Sequence, residues 1–291
     1  QRLFTYEGAN VLFAHRKPVE GNLSFVERLG QRRRSLRIPG EAQELSTKMG
    51  ERFVKGFLRY VLDPGTEHGY GSAGRNRLNA AHIYLAALLE MQQLGQKWKT
   101  RAFCRTIFTT NFDTLLQNAL QMVNLLYRIT DRPEKGLDNS EFHREEGPIH
   151  LVYTHGSILR HNPASTVDEL GELESQNINV LHRCLESHDV IIIGYGGWND
   201  GLMAALRCCN PKKHMLYWCD IDSQPTPHVA TFLEKRAGGA TYVQLGGTGA
   251  DGLMQALYEA LVPVKARREP MQRYREWYDL VWNRKGSSNQ R

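Results

Sequence analysis

The sequence has few cysteines and none of the spacings that hold a structural zinc ion. Its 291 residues include five cysteines, and no two of them form a C-x-x-C pair. Because cysteine-rich zinc modules are built from such pairs, the sequence predicts no metal site. An odd cysteine count without a regular framework also argues against a secreted protein stapled by disulfides. We therefore expect the thiols to behave as small buried hydrophobic groups in a reducing compartment.

Long apolar runs are absent as well. The most apolar stretch, VIIIG at residues 190–194, has the length of a β-strand. A membrane-spanning helix needs about 20 consecutive apolar residues. The start at Gln1 also lacks the charged head and apolar block of a signal peptide. From these absences we expect a cytoplasmic protein that has no membrane segment.

Charge is unevenly distributed along the chain. The net charge is +6, and basic residues concentrate at residues 28–37 and 265–285. Such clusters can attract phosphate groups, whether on a nucleotide or on a nucleic acid. Because no base-reading motif accompanies them, we expect solvated surfaces or protein contacts and no direct nucleic-acid binding.

From residue 79 onward, apolar segments of strand length alternate with amphipathic segments of helix length. Helices are predicted at 79–94, 113–122, 173–187, 201–209, 226–236 and 250–261. Strands are predicted at 104–109, 125–130, 149–153, 189–193, 214–219 and 240–245. Repeated strand–helix units favour a parallel sheet with right-handed crossovers. The predicted fold class is α/β, a Rossmann-like doubly wound parallel sheet with helices on both faces.

The two ends of the chain do not fit this alternation. Residues 22–103 read as mostly helical and are too long for a crossover, so we predict an N-terminal helical lid or insertion beside the cleft. The main domain then covers residues 1–263. Residues 264–291 are predicted to form a basic, aromatic C-terminal helix or tail. One helical face of that tail, expected to pack on the domain or on another subunit, carries Tyr274, Trp277, Tyr278, Val281 and Trp282.

Polar residues follow the predicted strand 104–109 directly, in the sequence TTNFD at 109–113. In open α/β sheets, ligands bind at the loops that follow the carboxyl ends of strands. Asn111 and Asp113 would present an amide and a carboxylate there. Thr110, Asn111 and Asp113 are also favoured at helix N-caps. The pentapeptide alone therefore supports a ligand site and simple capping about equally.

Two further motifs follow strands of the same predicted sheet. His155-Gly156 comes after strand 149–153, and GYGGWND at 194–200 comes after strand 189–193. The glycines of the second motif permit close backbone approach to a ligand. Its final Asp200 stands where either an N-cap of helix 201–209 or a ligand contact is expected.

Together and in this order, the three motifs resemble the sirtuin-like NAD-hydrolase domains of bacterial antiphage effectors, over roughly residues 79–261. The resemblance implies that NAD is the substrate, that no metal takes part, and that Asn111 and His155 are catalytic with Asp113 in support. It also implies a set of residues that bind the dinucleotide: Thr109, Thr110, Phe112, Gly156, Gly194, Gly196, Gly197 and Asp200.

The implied chemistry is consistent with these residue types. Cleavage of the nicotinamide–ribose bond requires a bound dinucleotide, a positioned water and a group that takes its proton. An imidazole exchanges protons near neutral pH, so His155 suits a general base. Asn111 can orient the water or the ribose without adding charge. The alternative for His155 is a turn histidine bonded to backbone.

One part of the family pattern is missing. The family opens with a Gly-Ala-Gly-x-Ser-type turn that holds the pyrophosphate, and the nearest match here is Gly8-Ala9-Asn10. The turn precedes Gln1, lies in an omitted segment, or has diverged. One alternative function is therefore a non-catalytic NAD- or ADP-ribose-binding or scaffold subunit of a defence complex. An NAD-dependent protein deacylase is less favoured, because a zinc module is lacking.

Unrestrained NAD hydrolysis would damage the host cell. The resemblance accordingly implies control by homo-oligomerisation or by a separate partner protein of a defence system. We place the predicted contact on the aromatic face of the C-terminal helix.

Overall fold

The structure is a computed structural model that describes residues 78–94, 103–111, 113–131, 147–155, 182–183, 185, 188–197, 201–209, 214–236 and 238–280. The predicted elements before residue 78, most of the predicted helix 173–187, and the site candidates Phe112, Gly156 and Asp200 lie outside these residues.

Helices and strands alternate along the described chain. The α-helices are α1 (Ala80–Leu94), α2 (Leu115–Met122), α3 (Gly201–Cys208), α4 (Pro227–Lys235), α5 (Gly249–Leu261) and α6 (Pro270–Tyr278). The strands are β1 (Thr106–Thr109), β2 (Tyr127–Thr130), β3 (Ile149–Tyr153), β4 (Val190–Ile193), β5 (Leu216–Asp220) and β6 (Ala240–Gln244). Up to α5, each element begins and ends within two residues of its predicted bounds.

The strands form two three-stranded parallel sheets, with the orders β1-β3-β2 and β4-β5-β6. All five residues of β3 are buried, as expected for the central strand of a parallel sheet covered on both faces. The prediction of a mixed α/β fold with parallel strands is confirmed. Instead of one continuous sheet, the described strands form two, and Phe108 of β1 packs against the core of the second sheet.

Helices α3 and α4 cover one face of the second sheet. Residues of alternating strand positions, such as Leu216 and Trp218, point to that face. Trp218 is fully buried, and its ring lies 5.7 Å from that of Tyr195 and 5.8 Å from that of Phe232, measured between centroids. This aromatic cluster holds the loop after β4 against the sheet.

Helix α1 is a core helix, although it falls in the segment predicted as a lid. Ile83 and Leu89 are fully buried, and α1 packs between α2, α5 and α6. Its beginning is fixed twice, because Asn79 Oδ1 accepts from His82 N–H at 3.0 Å and Asp251 Oδ1 accepts from Ala81 N–H at 2.8 Å. Asn79 thus caps the helix that was predicted at 79–94.

The C-terminal segment, predicted as a helix or tail from residue 264, does not begin as an α-helix. A short 3-10 turn, Val264–Ala266, comes first, and α6 begins at Pro270. Proline suits this first position, where no intrahelical donor is needed. Tyr274 and Trp277 pack against the core formed by α1 and α2. This part of the aromatic face is therefore used within the chain, while Val281 and Trp282 lie outside the described residues.

Ion pairs also join α1 to α6 and to the segment just before it. Glu90 accepts from Arg273 Nη1, with both carboxylate oxygens at 2.6 Å, and from Arg268 Nη1 at 3.3 Å. Only 12% of the Glu90 side chain is exposed. The C-terminal basic cluster thus supplies the partners of a nearly buried carboxylate.

The prediction that the cysteines are buried holds for only some of those described. Cys209 and Cys219 are buried free thiols, and burial raises the pKa of Cys219 to about 11. Cys208, however, is exposed at the end of α3. The reason is helical periodicity, since Ala205, Leu206 and Cys209 already occupy the core-facing side.

No helix among those described is long and apolar enough to span a bilayer.

Candidate functional site

The pairing of β1 with β3 brings two of the predicted motifs to one edge of the sheet. Thr109 and Tyr153 are partners in the register. Asn111 and His155 each lie two residues beyond this pair, where the parallel strands end. His155 is buried. The two residues predicted to be catalytic therefore follow neighbouring strands at equivalent positions.

Thr154 ties the ends of these two strands together. Its N–H donates to the carbonyl of Thr109 at 3.0 Å, and its hydroxyl donates to the same oxygen at 3.1 Å. Thr109 in turn shapes the next turn, because its Oγ1 accepts from Asn111 N–H at 3.1 Å. Thr109, which ends β1, thus fixes the backbone of Asn111. Thr154, which precedes His155, in turn fixes Thr109.

Asp113 holds the start of the helix that follows. Its Oδ1 accepts from the N–H of Leu115, the first residue of α2, at 3.0 Å, while Thr114 at the N-cap position makes no side-chain cap hydrogen bond. The sequence left capping and a ligand site both open, and the described contact of this carboxylate satisfies a backbone N–H at the start of α2. Burial raises the pKa of Asp113 to about 6, and the hydrogen bond from Leu115 opposes part of that rise. The carboxyl group therefore titrates much closer to neutral pH than an exposed aspartate.

Tyr153, at the end of β3, was not identified from the sequence. The side chain is fully buried, and its hydroxyl donates to the backbone carbonyl of Asp113 at 2.7 Å. The same hydroxyl accepts from Gln117 Nε2 of α2 at 2.8 Å. Burial raises the pKa of Tyr153, so the phenol stays protonated and able to donate. A tyrosine ending a buried strand beside a polar motif was the only available signal.

The glycine loop after β4 packs closely on its own domain. Gly194 has φ +65°, and its N–H donates to Cys219 O at 3.2 Å. Gly197 has φ +70°, and a Cβ there would lie 2.5 Å from Val229 Cγ2 of α4. The carbonyl of Gly196 accepts from Thr226 Oγ1 at 3.5 Å. The close approach that glycine permits at Gly197 is therefore an approach to the protein's own core.

Of the predicted site residues, the structure thus brings Thr109, Thr110, Asn111, Asp113 and His155 to the edge shared by β1 and β3. Gly194, Gly196 and Gly197 follow β4 in the second sheet. Within the described residues, no group of three or more His, Cys, Asp and Glu side chains could hold a metal ion.

A comparison with known protein families supports this grouping of motifs. A family model described as a SIR2-like domain matches residues 105–236. The matched span runs from the start of β1 to the end of α4 and contains all three motifs. It supports a sirtuin-like domain here, and the two parallel sheets are consistent with its Rossmann-like fold. SIR2-like domains are generally associated with NAD. No curated protein matches the chain.

Proposed function

We propose that the protein is an NAD+ hydrolase that cleaves the nicotinamide–ribose bond and releases nicotinamide and ADP-ribose. One observation carries the proposal: Asn111 and His155 lie at equivalent positions beyond the Thr109–Tyr153 pair. The SIR2-like match covers both residues and gives an independent reason to expect NAD as the ligand.

In this proposal His155 is the general base. Cleavage leaves a positively charged, oxocarbenium-like ribose carbon, to which a water molecule adds. His155 accepts the proton of that water, while the Asn111 amide orients the water or a ribose hydroxyl. The hydrogen bond from Asn111 N–H to Thr109 supports this role, because a preorganised dipole needs a fixed backbone. No metal takes part.

The remaining predicted residues would bind the dinucleotide. Thr109, Thr110, Phe112 and Gly156 are assigned to the nicotinamide-ribose side, and Gly194, Gly196, Gly197 and Asp200 to the adenosine side. The two described sheets would then be halves of one doubly wound sheet. In such sheets the ligand binds in the crevice outside the carboxyl ends of the strands. Asp113 supports Asn111 by holding the turn that begins α2.

The cellular role we propose is depletion of NAD in antiviral defence, in the cytoplasm, under the control of homo-oligomerisation or a partner protein. This part rests on the resemblance of the three motifs. The assembly contact in this proposal does not include Tyr274 and Trp277, since both side chains pack against the core of their own chain.

The test is nicotinamide release from NAD by the purified protein, alone and with the products of neighbouring genes. We expect Asn111→Ala and His155→Ala each to lose turnover by about 100-fold or more. His228→Ala is the matched control, because His228 is exposed on α4. Full turnover in both Asn111→Ala and His155→Ala would rule the hydrolase out.

A second candidate, a non-catalytic NAD- or ADP-ribose-binding or scaffold subunit, is favoured by two contacts. The Asp113 carboxylate accepts from a backbone N–H at the start of α2, and the space beside Gly197 is filled by Val229. Calorimetry that detects tight binding of NAD or ADP-ribose, with no turnover even when the partner is present, would support it. A protein deacylase would instead require an acyl-lysine peptide for stoichiometric nicotinamide release.

A further inference from the structure

A buried chain of hydrogen bonds connects the loop that carries Asn111 to the strand that precedes His155. It runs from Gln117 Nε2 to Tyr153 Oη over 2.8 Å, and from Tyr153 Oη to the Asp113 carbonyl over 2.7 Å. Both side chains are buried. Gln117 belongs to α2 and Asp113 to the loop directly before that helix, whereas Tyr153 of β3 is 40 residues from Asp113 along the chain.

The direction of each hydrogen bond follows from the chemistry of the groups. A backbone carbonyl can only accept, so the single phenolic proton of Tyr153 must point to Asp113. The tyrosine oxygen is then left as an acceptor, and Gln117 must donate to it through its amide nitrogen. Gln117 therefore fixes the rotation of the Tyr153 hydroxyl, which in turn holds the backbone of the loop.

We propose that Tyr153 and Gln117 are positioning residues that hold the backbone of Asp113, at the end of the loop carrying Asn111, against β3. They thereby keep Asn111 in its working position relative to His155. Tyr153 is suited to this task because Thr154 and His155 follow it directly in the sequence. A shift of the loop would move Asn111 and leave His155 in place. The inference rests on the hydrolase function proposed above.

The chain contains a matched control for this pair. Gln121 Nε2 donates to Tyr127 Oη at 2.7 Å, so the same two residue types join the same helix to a strand. This second hydrogen bond is exposed, and the partly buried Tyr127 is the first residue of β2, which lies on the other side of β3 from β1. Substitution of Tyr127 tests the loss of an equivalent hydrogen bond that does not hold the loop carrying Asn111.

The experiment compares Tyr153→Phe with Tyr127→Phe in steady-state NAD hydrolysis. We expect Tyr153→Phe to lower kcat about tenfold or more, because displacement by about 1 Å can cost about 100-fold in rate. The KM for NAD should stay within about twofold, since no side chain that binds the dinucleotide is changed. Tyr127→Phe should keep both parameters. Wild-type kcat in Tyr153→Phe, or an equal loss in both variants, would overturn the proposal.

A second readout does not depend on turnover. Hydrogen–deuterium exchange reports on the amides of Asn111 and Leu115, which donate to Thr109 and Asp113 within the loop. We expect faster exchange of both amides in Tyr153→Phe and unchanged exchange in Tyr127→Phe. If the wild-type protein hydrolyses no NAD, the proposed function fails while this measurement still decides the positioning role. Unchanged loop exchange in Tyr153→Phe would overturn that role.

Discussion

The carbonyl oxygen of Thr109 accepts two hydrogen bonds from Thr154, one from its N–H and one from its hydroxyl. A single acceptor at the end of β1 thus holds both the backbone and the side chain of the residue before His155. This double contact connects the two catalytic candidates of the proposed hydrolase.

The first prediction concerns the hydroxyl half of that contact. Thr154→Val keeps the branched shape and removes the donor, so we expect the free energy of unfolding to fall by about 1 kcal/mol. Nicotinamide release should fall with it, because the strand ends are less firmly joined. Urea denaturation and the NAD assay measure the two effects. Thr154→Ser, which retains the hydroxyl, should stay close to wild type in both.

The second prediction is a pH dependence of stability that arises from Asp113. Its pKa rises from 3.8 in the unfolded chain to about 6 in the folded protein, so the folded state holds the proton more tightly. The contribution of this group to stability is complete below pH 3.8 and is lost as the pH rises through about 6. Asp113→Asn removes the charge and keeps an acceptor for Leu115 N–H. We expect this variant to gain stability over wild type toward about pH 8 and to lose that gain toward about pH 4.

Urea denaturation across this pH range measures the difference between Asp113→Asn and wild type. A difference that is the same at both ends of the range would contradict the assignment of the titrating group to Asp113.

The third prediction separates two reasons for glycine in loops. The new Cβ of Gly197→Ala would lie 2.5 Å from Val229 Cγ2, and the backbone there has a positive φ. We therefore expect the free energy of unfolding to fall by about 2–4 kcal/mol. Gly246→Ala has φ +60° and nothing within 4 Å of the new Cβ, so only the backbone strain of about 1 kcal/mol remains. Thermal unfolding of both variants gives the comparison. Equal losses would show that the contact with Val229 is unimportant.

The fourth prediction concerns the attachment of the C-terminal segment. Glu90→Gln leaves the cation of Arg273 beside an uncharged amide in a mostly buried place. We expect the free energy of unfolding to fall by about 1–3 kcal/mol, between the values for surface and buried ion pairs. Glu276→Gln is the control, because Glu276 is exposed on α6 and its carboxylate accepts only from Gln272 among the described hydrogen bonds. A loss no larger than that of the control would show that the ion pair contributes little.

The local sequence pattern predicted the bounds of a helix or strand well where the flanking residues mark its ends. Strand β3 has the bounds predicted for it, since Pro148 precedes it and a polar turn follows. The side of a helix that becomes buried was harder to predict. The spacing of Tyr274 and Trp277 indicated an apolar face, but not that α1 and α2 would cover it.

The site was predictable in its motifs and not in its connections. The position of Asn111 and Asp113 just after a predicted strand indicated a ligand site. Residue type alone, however, cannot distinguish a helix cap from a ligand contact. Tyr153 could not be found from the sequence, because its partner Asp113 is 40 residues away along the chain. Long-range partners of this kind become visible only when the register of the sheet is known.

The hydrogen bond between Ala81 and Asp251 has a consequence for how the chain is made. The two residues are 170 positions apart in the sequence. At about 5–20 residues per second, the ribosome needs about 10–30 s to reach Asp251 after Ala81. During that interval the beginning of α1 lacks one of its acceptors, and α5, which will cover it, does not yet exist. The nascent chain therefore exposes Ala87 and Leu88 to chaperones until Tyr258 of α5 and the adjacent Val262, which pack against them, have been made.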